Sequence, residues 1–119
     1  MVIQPTEKNF VDVCGATEIS DGQARMFLVG ETRIALYRIG DEVFALDDAC
    51  PHAGASLALG IISGSNMSGS NMSGSTVACR IHHWRFCIRS GDYLNDNQKS
   101  SNVRTYVVRQ VDSRIQVAV

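Results

Sequence analysis

Cys50-Pro51-His52-Ala53-Gly54-Ala55-Ser56-Leu57 places a thiol and an imidazole two positions apart. Cys79-Arg80-Ile81-His82-His83-Trp84-Arg85-Phe86 places a second such pair three positions apart. Thiolate and imidazole are the side chains that bind zinc and iron best. Each segment follows a β-rich run, Val43-Phe44-Ala45-Leu46 before the first and Thr76-Val77-Ala78 before the second. Each is therefore expected at a loop tip, where close spacing turns both side chains into one small pocket. Two metals suit this Cys2His2 set. Zinc accepts it in a tetrahedral site, but structural zinc sites usually pair like ligands in sequence. Here each segment mixes the two kinds. That mixture suits a two-iron cluster in which one iron takes both thiolates and the other both imidazoles.

Strand signals surround these segments. Arg25 to Val29, Arg33 to Ile39 and Val43 to Leu46 are β-rich runs, the last two joined by Gly40-Asp41, a hairpin signature. Further runs are Thr76 to Cys79, Arg85 to Arg89, Arg104 to Arg109 and Arg114 to Val119. In the last, Ile115, Val117 and Val119 share one face, because strand side chains alternate. One short helical turn is expected over Ala16-Thr17-Glu18-Ile19. The pattern reads as an all-β chain, a small antiparallel sandwich or barrel.

The 119 residues, 13.0 kDa, suffice for one core, so residues 1–119 are read as one domain. With 45% hydrophobic and 19% charged residues the chain is globular, not disordered. A formal charge of −1 and a pI near 6.3 argue against nucleic acid and against an anionic membrane surface. No apolar run is long enough to span a bilayer. The N-terminal residues lack the basic start and apolar stretch of a secretion signal, so the expected location is cytoplasmic. In that compartment Cys14, Cys50, Cys79 and Cys87 are read as metal-binding or reduced, not as disulfides.

A tandem repeat interrupts the chain. Ser-Gly-Ser-Asn-Met occupies residues 63–67 and again 68–72, and Ser73-Gly74-Ser75 begins a third copy. Such a tract has little to bury and reads as a flexible surface insertion over 63–75. Asn66-Met67-Ser68 and Asn71-Met72-Ser73 match the glycosylation pattern, but without a secretion signal they are read as plain loop. Between His52 and Cys79 lie 26 residues, and 16 remain once the ten repeated ones are removed.

The two ligand segments together resemble the cluster loops of soluble Rieske-type [2Fe–2S] ferredoxins, and the shortened spacing is like the family's. The likeness covers nearly the whole chain. It implies a Rieske-type antiparallel β-sandwich with a small cluster-binding subdomain inserted. It further implies that Cys50 and Cys79 bind one iron and His52 and His82 the other, with one cluster per chain. The implied function is single-electron transfer from a flavin-dependent reductase to a terminal oxygenase or similar enzyme. The alternative within the family is the small subunit of an assimilatory nitrite reductase. A zinc-stabilised binding module without redox function is the alternative outside it.

The chain departs from its family's patterns in several ways. His83 stands where such proteins usually have glycine, although His82 remains the expected ligand. Ala55 and Ile81 stand where quinol-oxidising relatives have an extra pair of cysteines, and Trp84 where those have a serine. With fewer hydrogen bonds and no cross-link, the potential is expected at the low end of the Rieske range, about −150 mV. The stretch from Gly91 to Asn102 lacks the proline common in the family's covering loop.

Other residues receive plainer readings. Cys14 is a small core hydrophobe. If Trp84, Phe86 and Ile88 face the core, then Arg85, Cys87 and Arg89 face outward. Asp47 and Asp48 are read as turn formers or a docking rim, and Arg104, Arg109 and Arg114 as solvated strand faces. Beyond the assigned ligands the only histidine is His83, so no second iron site of the two-histidine, one-carboxylate kind is available, and a catalytic oxygenase subunit is excluded.

Overall fold

A computed structural model of the chain describes residues 10–51, 54–63, 75–81, 83–95 and 101–118. Among them are β1 (Phe10–Gly15), β2 (Ala24–Val29), β3 (Thr32–Ile39), β4 (Glu42–Asp47), β5 (Ile61–Ser63), β6 (Thr76–Ala78), β7 (Arg85–Cys87), β8 (Thr105–Tyr106), β9 (Val108–Val111) and β10 (Arg114–Ala118). Three antiparallel sheets result, ordered β1-β10-β9, β2-β3-β4-β8 and β5-β6-β7. The all-β expectation therefore holds. The insertion read over 63–75 falls, from residue 64 to 74, outside the described residues.

The four-stranded sheet is covered on both faces at its central strand β3. Ile34, Ala35, Leu36 and Tyr37 are all buried in succession, which strand alternation permits only if each face has its own cover. Ile34 and Leu36 join Cys14, Ala45, Ile115 and Val117 in one core, against the β1-β10-β9 sheet. Ala35, Tyr37 and Ile39 join Leu46, Cys50, Leu57, Val77, Cys79 and Phe86 in the other, against the β5-β6-β7 sheet. That small sheet is inserted between β4 and β8 and is the subdomain the sequence predicts.

Several boundaries differ from the sequence reading. The single run expected over Arg104 to Arg109 breaks at Val107, because β8 belongs to the central sheet and β9 to the outer one. Val107 is the exposed corner, and its carbonyl accepts the Ala118 N–H at 2.9 Å. The run expected to Arg89 ends at Cys87, whose carbonyl accepts the Gly91 N–H in a tight return. β1 has no counterpart among the expected strands, since a bulge between Asp12 and Cys14 breaks its alternation. The predicted helical turn is a 3-10 turn over Ala16–Glu18, and a second one, Leu57–Leu59, follows the first ligand segment.

Candidate metal centre

Cys50 and Cys79 come from different elements, the end of the β4 run and the end of β6, yet both are buried in one core with Leu57, Val77 and Phe86. Their partners by sequence, His52 and His82, lie outside the described residues.

The two cysteines open loops of the same backbone design. The Cys50 N–H donates to the Ala55 carbonyl at 2.9 Å, and the Gly54 N–H donates back to the Cys50 carbonyl at 2.7 Å. The Cys79 N–H donates to the Trp84 carbonyl at 2.8 Å, and the His83 N–H donates back to the Cys79 carbonyl at 2.9 Å. The fourth residue after each cysteine closes its loop in the left-handed region, Gly54 with φ 72° and His83 with φ 58°. Glycine adopts that conformation freely and histidine under strain. The His83 residue is exposed.

The necks of the loops differ. The second loop grows from a regular ladder, in which Ala78 pairs with Arg85 and Val77 with Phe86. The first has, among the described residues, a single bridge, Ala49 to Ser56. Beside that bridge Asp48 is wholly buried, which corrects its reading as a turn former or docking rim. Its Oδ2 accepts Arg33 Nη2 at 2.7 Å, and its Oδ1 accepts Ser56 Oγ at 2.8 Å and the Ala58 N–H at 2.9 Å. A signal for this was present in the sequence. Alternation through β4 sends residues 44, 46 and 48 to one face, and Leu46 is core.

An aromatic wall backs the second loop. The Tyr93 ring lies 4.6 Å from that of Trp84 and 5.7 Å from that of Phe86, centre to centre. Asn102 Oδ1 accepts the Tyr93 N–H at 2.8 Å, so a side-chain bond fixes this covering segment, which lacks the family's proline. Cys87 is buried, 8% exposed, against the expectation that it faces outward. The turn returning through Gly91 and Asp92 bonds both backbone groups of Cys87 and encloses it, while Arg85 and Arg89 remain exposed. Cys14 lies in the far core as read, its thiol pushed up chiefly by burial.

Two buried thiols in one core suit an iron–sulfur group, which thiolates hold and apolar surroundings shield. The Tyr37 hydroxyl in the same core is buried and has no hydrogen-bond partner among the described residues. Burial, then the negative charge of Asp48, pushes that hydroxyl far above the usual phenol range, so it stays a neutral donor. The described donors, two buried thiols and a neutral hydroxyl, are of the kinds a [2Fe–2S] cluster takes.

A family model for the Rieske [2Fe–2S] domain matches residues 9–110. The 3-phenylpropionate/cinnamic acid dioxygenase ferredoxin subunit of Photorhabdus laumondii is 33% identical over 107 residues, covering 90% of this chain and 91% of that one. Among solved structures, the ferredoxin of carbazole 1,9a-dioxygenase from Nocardioides aromaticivorans is 27% identical, with a TM-score of 0.76 over 92% of this chain and 96% of that one. A Mycobacterium tuberculosis structure described as an NADH-dependent nitrite reductase small subunit is 25% identical, with a TM-score of 0.78 over 95% and 96%.

Proposed function

The chain belongs to the Rieske [2Fe–2S] domain family, and on that premise we propose that it is a one-electron carrier delivering electrons to a terminal oxygenase. Cys50 and Cys79 hold one iron as thiolates, and His52 and His82 hold the other through one ring nitrogen each. The observation that carries this is the pair of loops, alike in hydrogen bonding, that bring Cys50 and Cys79 into one buried core. When bound, the cluster supplies reversible one-electron chemistry. The chain's own residues do the rest. Leu57, Val77 and Phe86 exclude water from the thiolate side, and Trp84 with Tyr93 walls the second loop. The donor is a flavin-dependent reductase, and the working location is the cytoplasm. No helix among the described residues is long and apolar enough to cross a membrane.

Electron paramagnetic resonance of the dithionite-reduced protein tests the ligand set. Mixed nitrogen and sulfur ligation gives a lower average g value than four cysteines. A colourless protein with one zinc and no iron or sulfide overturns the reading. The likeness to a nitrite reductase small subunit favours a second one, in which the same cluster serves inside an assimilatory enzyme. Copurification with a large haem-containing subunit selects it.

A further inference from the structure

We propose that Arg33 and Asp48 are positioning residues for the first ligand loop, and that this ion pair, with its carboxylate buried and its guanidinium partly exposed, does there what the β6–β7 ladder does for the second. The inference rests on reading Cys50 and His52 as ligands. Among the described residues, the loop from residue 49 to 56 leaves the central sheet with one backbone bridge, whereas three successive ladder pairs brace the other loop. Asp48 bonds through every polar atom it has, its carbonyl within that bridge and its carboxylate beyond it. Its N–H donates to the Arg33 carbonyl at 3.0 Å and its carbonyl accepts the Leu57 N–H at 2.7 Å. Its carboxylate gathers Arg33, Ser56 and the Ala58 N–H. Residues on both sides of the loop are thus tied to one side chain that is wholly buried. Arg33 spans the opening: Nη2 pairs with Asp48 at 2.7 Å, while Nη1 stands 3.4 Å from the Gly54 carbonyl on the returning limb.

A buried carboxylate carries a heavy desolvation penalty, and burying an ion pair is seldom the most stabilising choice at a site. It does fix geometry, since a planar guanidinium and a carboxylate meet in few orientations. Residues that orient metal ligands typically hold about 10- to 100-fold in metal affinity. The pair and its Ser56 contact therefore set how firmly the first loop grips its iron, apart from any share in global stability.

The cluster-loaded protein tests this through Arg33→Met, Asp48→Asn and Ser56→Ala, with Ile115→Val in the far core as a control for simple destabilisation. Iron loss to a chelator is timed below every variant's melting range, and g values are read after reduction. Arg33→Met and Asp48→Asn are expected to lose iron about 10- to 100-fold faster and to shift the g values, with Ser56→Ala between them and wild type. Ile115→Val is expected to lower the melting temperature and change neither readout. Should Asp48→Asn not load, the partly exposed Arg33 and the small Ser56 change decide. If those two variants melt lower yet match wild type in iron loss and g values, the pair is merely structural and the proposal fails. If wild type itself lacks the mixed nitrogen–sulfur signal, the ligand reading fails first and takes this inference with it.

Discussion

His83 closes the second loop where Gly54 closes the first: each donates its N–H to the carbonyl of the cysteine four residues earlier, and each has a positive φ. The left-handed conformation costs a non-glycine residue about 1–2 kcal/mol. His83→Gly is therefore expected to stabilise the loaded protein by about 1 kcal/mol, less the greater entropy of an unfolded glycine. Gly54→Ala is expected to destabilise it by about 1 kcal/mol through φ alone, since a Cβ there meets nothing within 4 Å. Thermal unfolding of both variants checks the pair, and a gain from Gly54→Ala would contradict the shared geometry.

The ligand assignment is tested separately. Cys50→Ser, Cys79→Ser and His82→Ala are each expected to abolish the visible colour and the reduced-state resonance signal. His83→Ala is expected to keep both, because its side chain is exposed at the loop's closing position. Iron and sulfide analysis accompanies the spectra, since folding without iron is the informative result for the serine variants. Survival of the signal in His82→Ala and its loss in His83→Ala would exchange the two histidines.

Gly60 lies under the first loop, where a Cβ would meet the Ala78 carbonyl oxygen at 2.5 Å and Val77 Cγ2 at 2.8 Å. Its φ of −73° suits any residue, so only contact forbids a side chain. Gly60→Ala must push the segment leading into β5 away from β6. A loss of about 1–3 kcal/mol is expected from such overpacking, together with weaker iron retention, because Cys79 follows Ala78 directly. A neutral effect on melting would mean the strands part easily.

Much of this was legible in the sequence because the informative residues are local. Two short motifs carry the candidate ligands, β-rich runs mark the strands, and alternation in β10 sets Ile115 and Val117 on a buried face. What escaped reading is non-local. Nothing near Arg33 announces Asp48 as its partner; only the antiparallel register, which sets Ile34 opposite Asp47, brings the two side chains to the same end of one face. The bulge in β1 and the corner at Val107 are concealed for a related reason, as both are departures from period two. For Cys87 a strand pattern predicts the face but not the turn at Gly91 and Asp92 that folds back over it.

The two cores make destabilisation and cluster damage separable. Leu36 faces the outer sheet and Phe86 the cysteines. Leu36→Ala is expected to cost about 2–5 kcal/mol and Phe86→Ala about 3–5 kcal/mol. Only Phe86→Ala removes a neighbour of the cysteine core and of the Tyr93 ring, so only it is expected to alter the resonance spectrum and quicken iron loss in the folded protein. Equal spectra from the two variants would mean that the core packing does not reach the ligands.

Tyr106 ties β8 to the end of β4 through a hydrogen bond from its hydroxyl to Asp47 Oδ1 at 2.5 Å. Burial first, and then that bond and the Asp47 charge, push its pKa from 10.0 to about 12. Because the folded value is raised, the bond's contribution is complete below the unfolded pKa of 10.0 and is lost as pH climbs through about 12. The site is partly solvated, so Tyr106→Phe is expected to cost only about 1 kcal/mol near neutrality. The gap in melting temperature between wild type and Tyr106→Phe should stay constant up to about pH 10.0 and shrink as pH climbs above it. Tyrosinate absorbance gives an independent reading, with Tyr106 ionising late in the folded chain. A gap that widens with rising pH would reverse the sign of the argument and show that the Tyr106–Asp47 bond is not what the hydroxyl contributes.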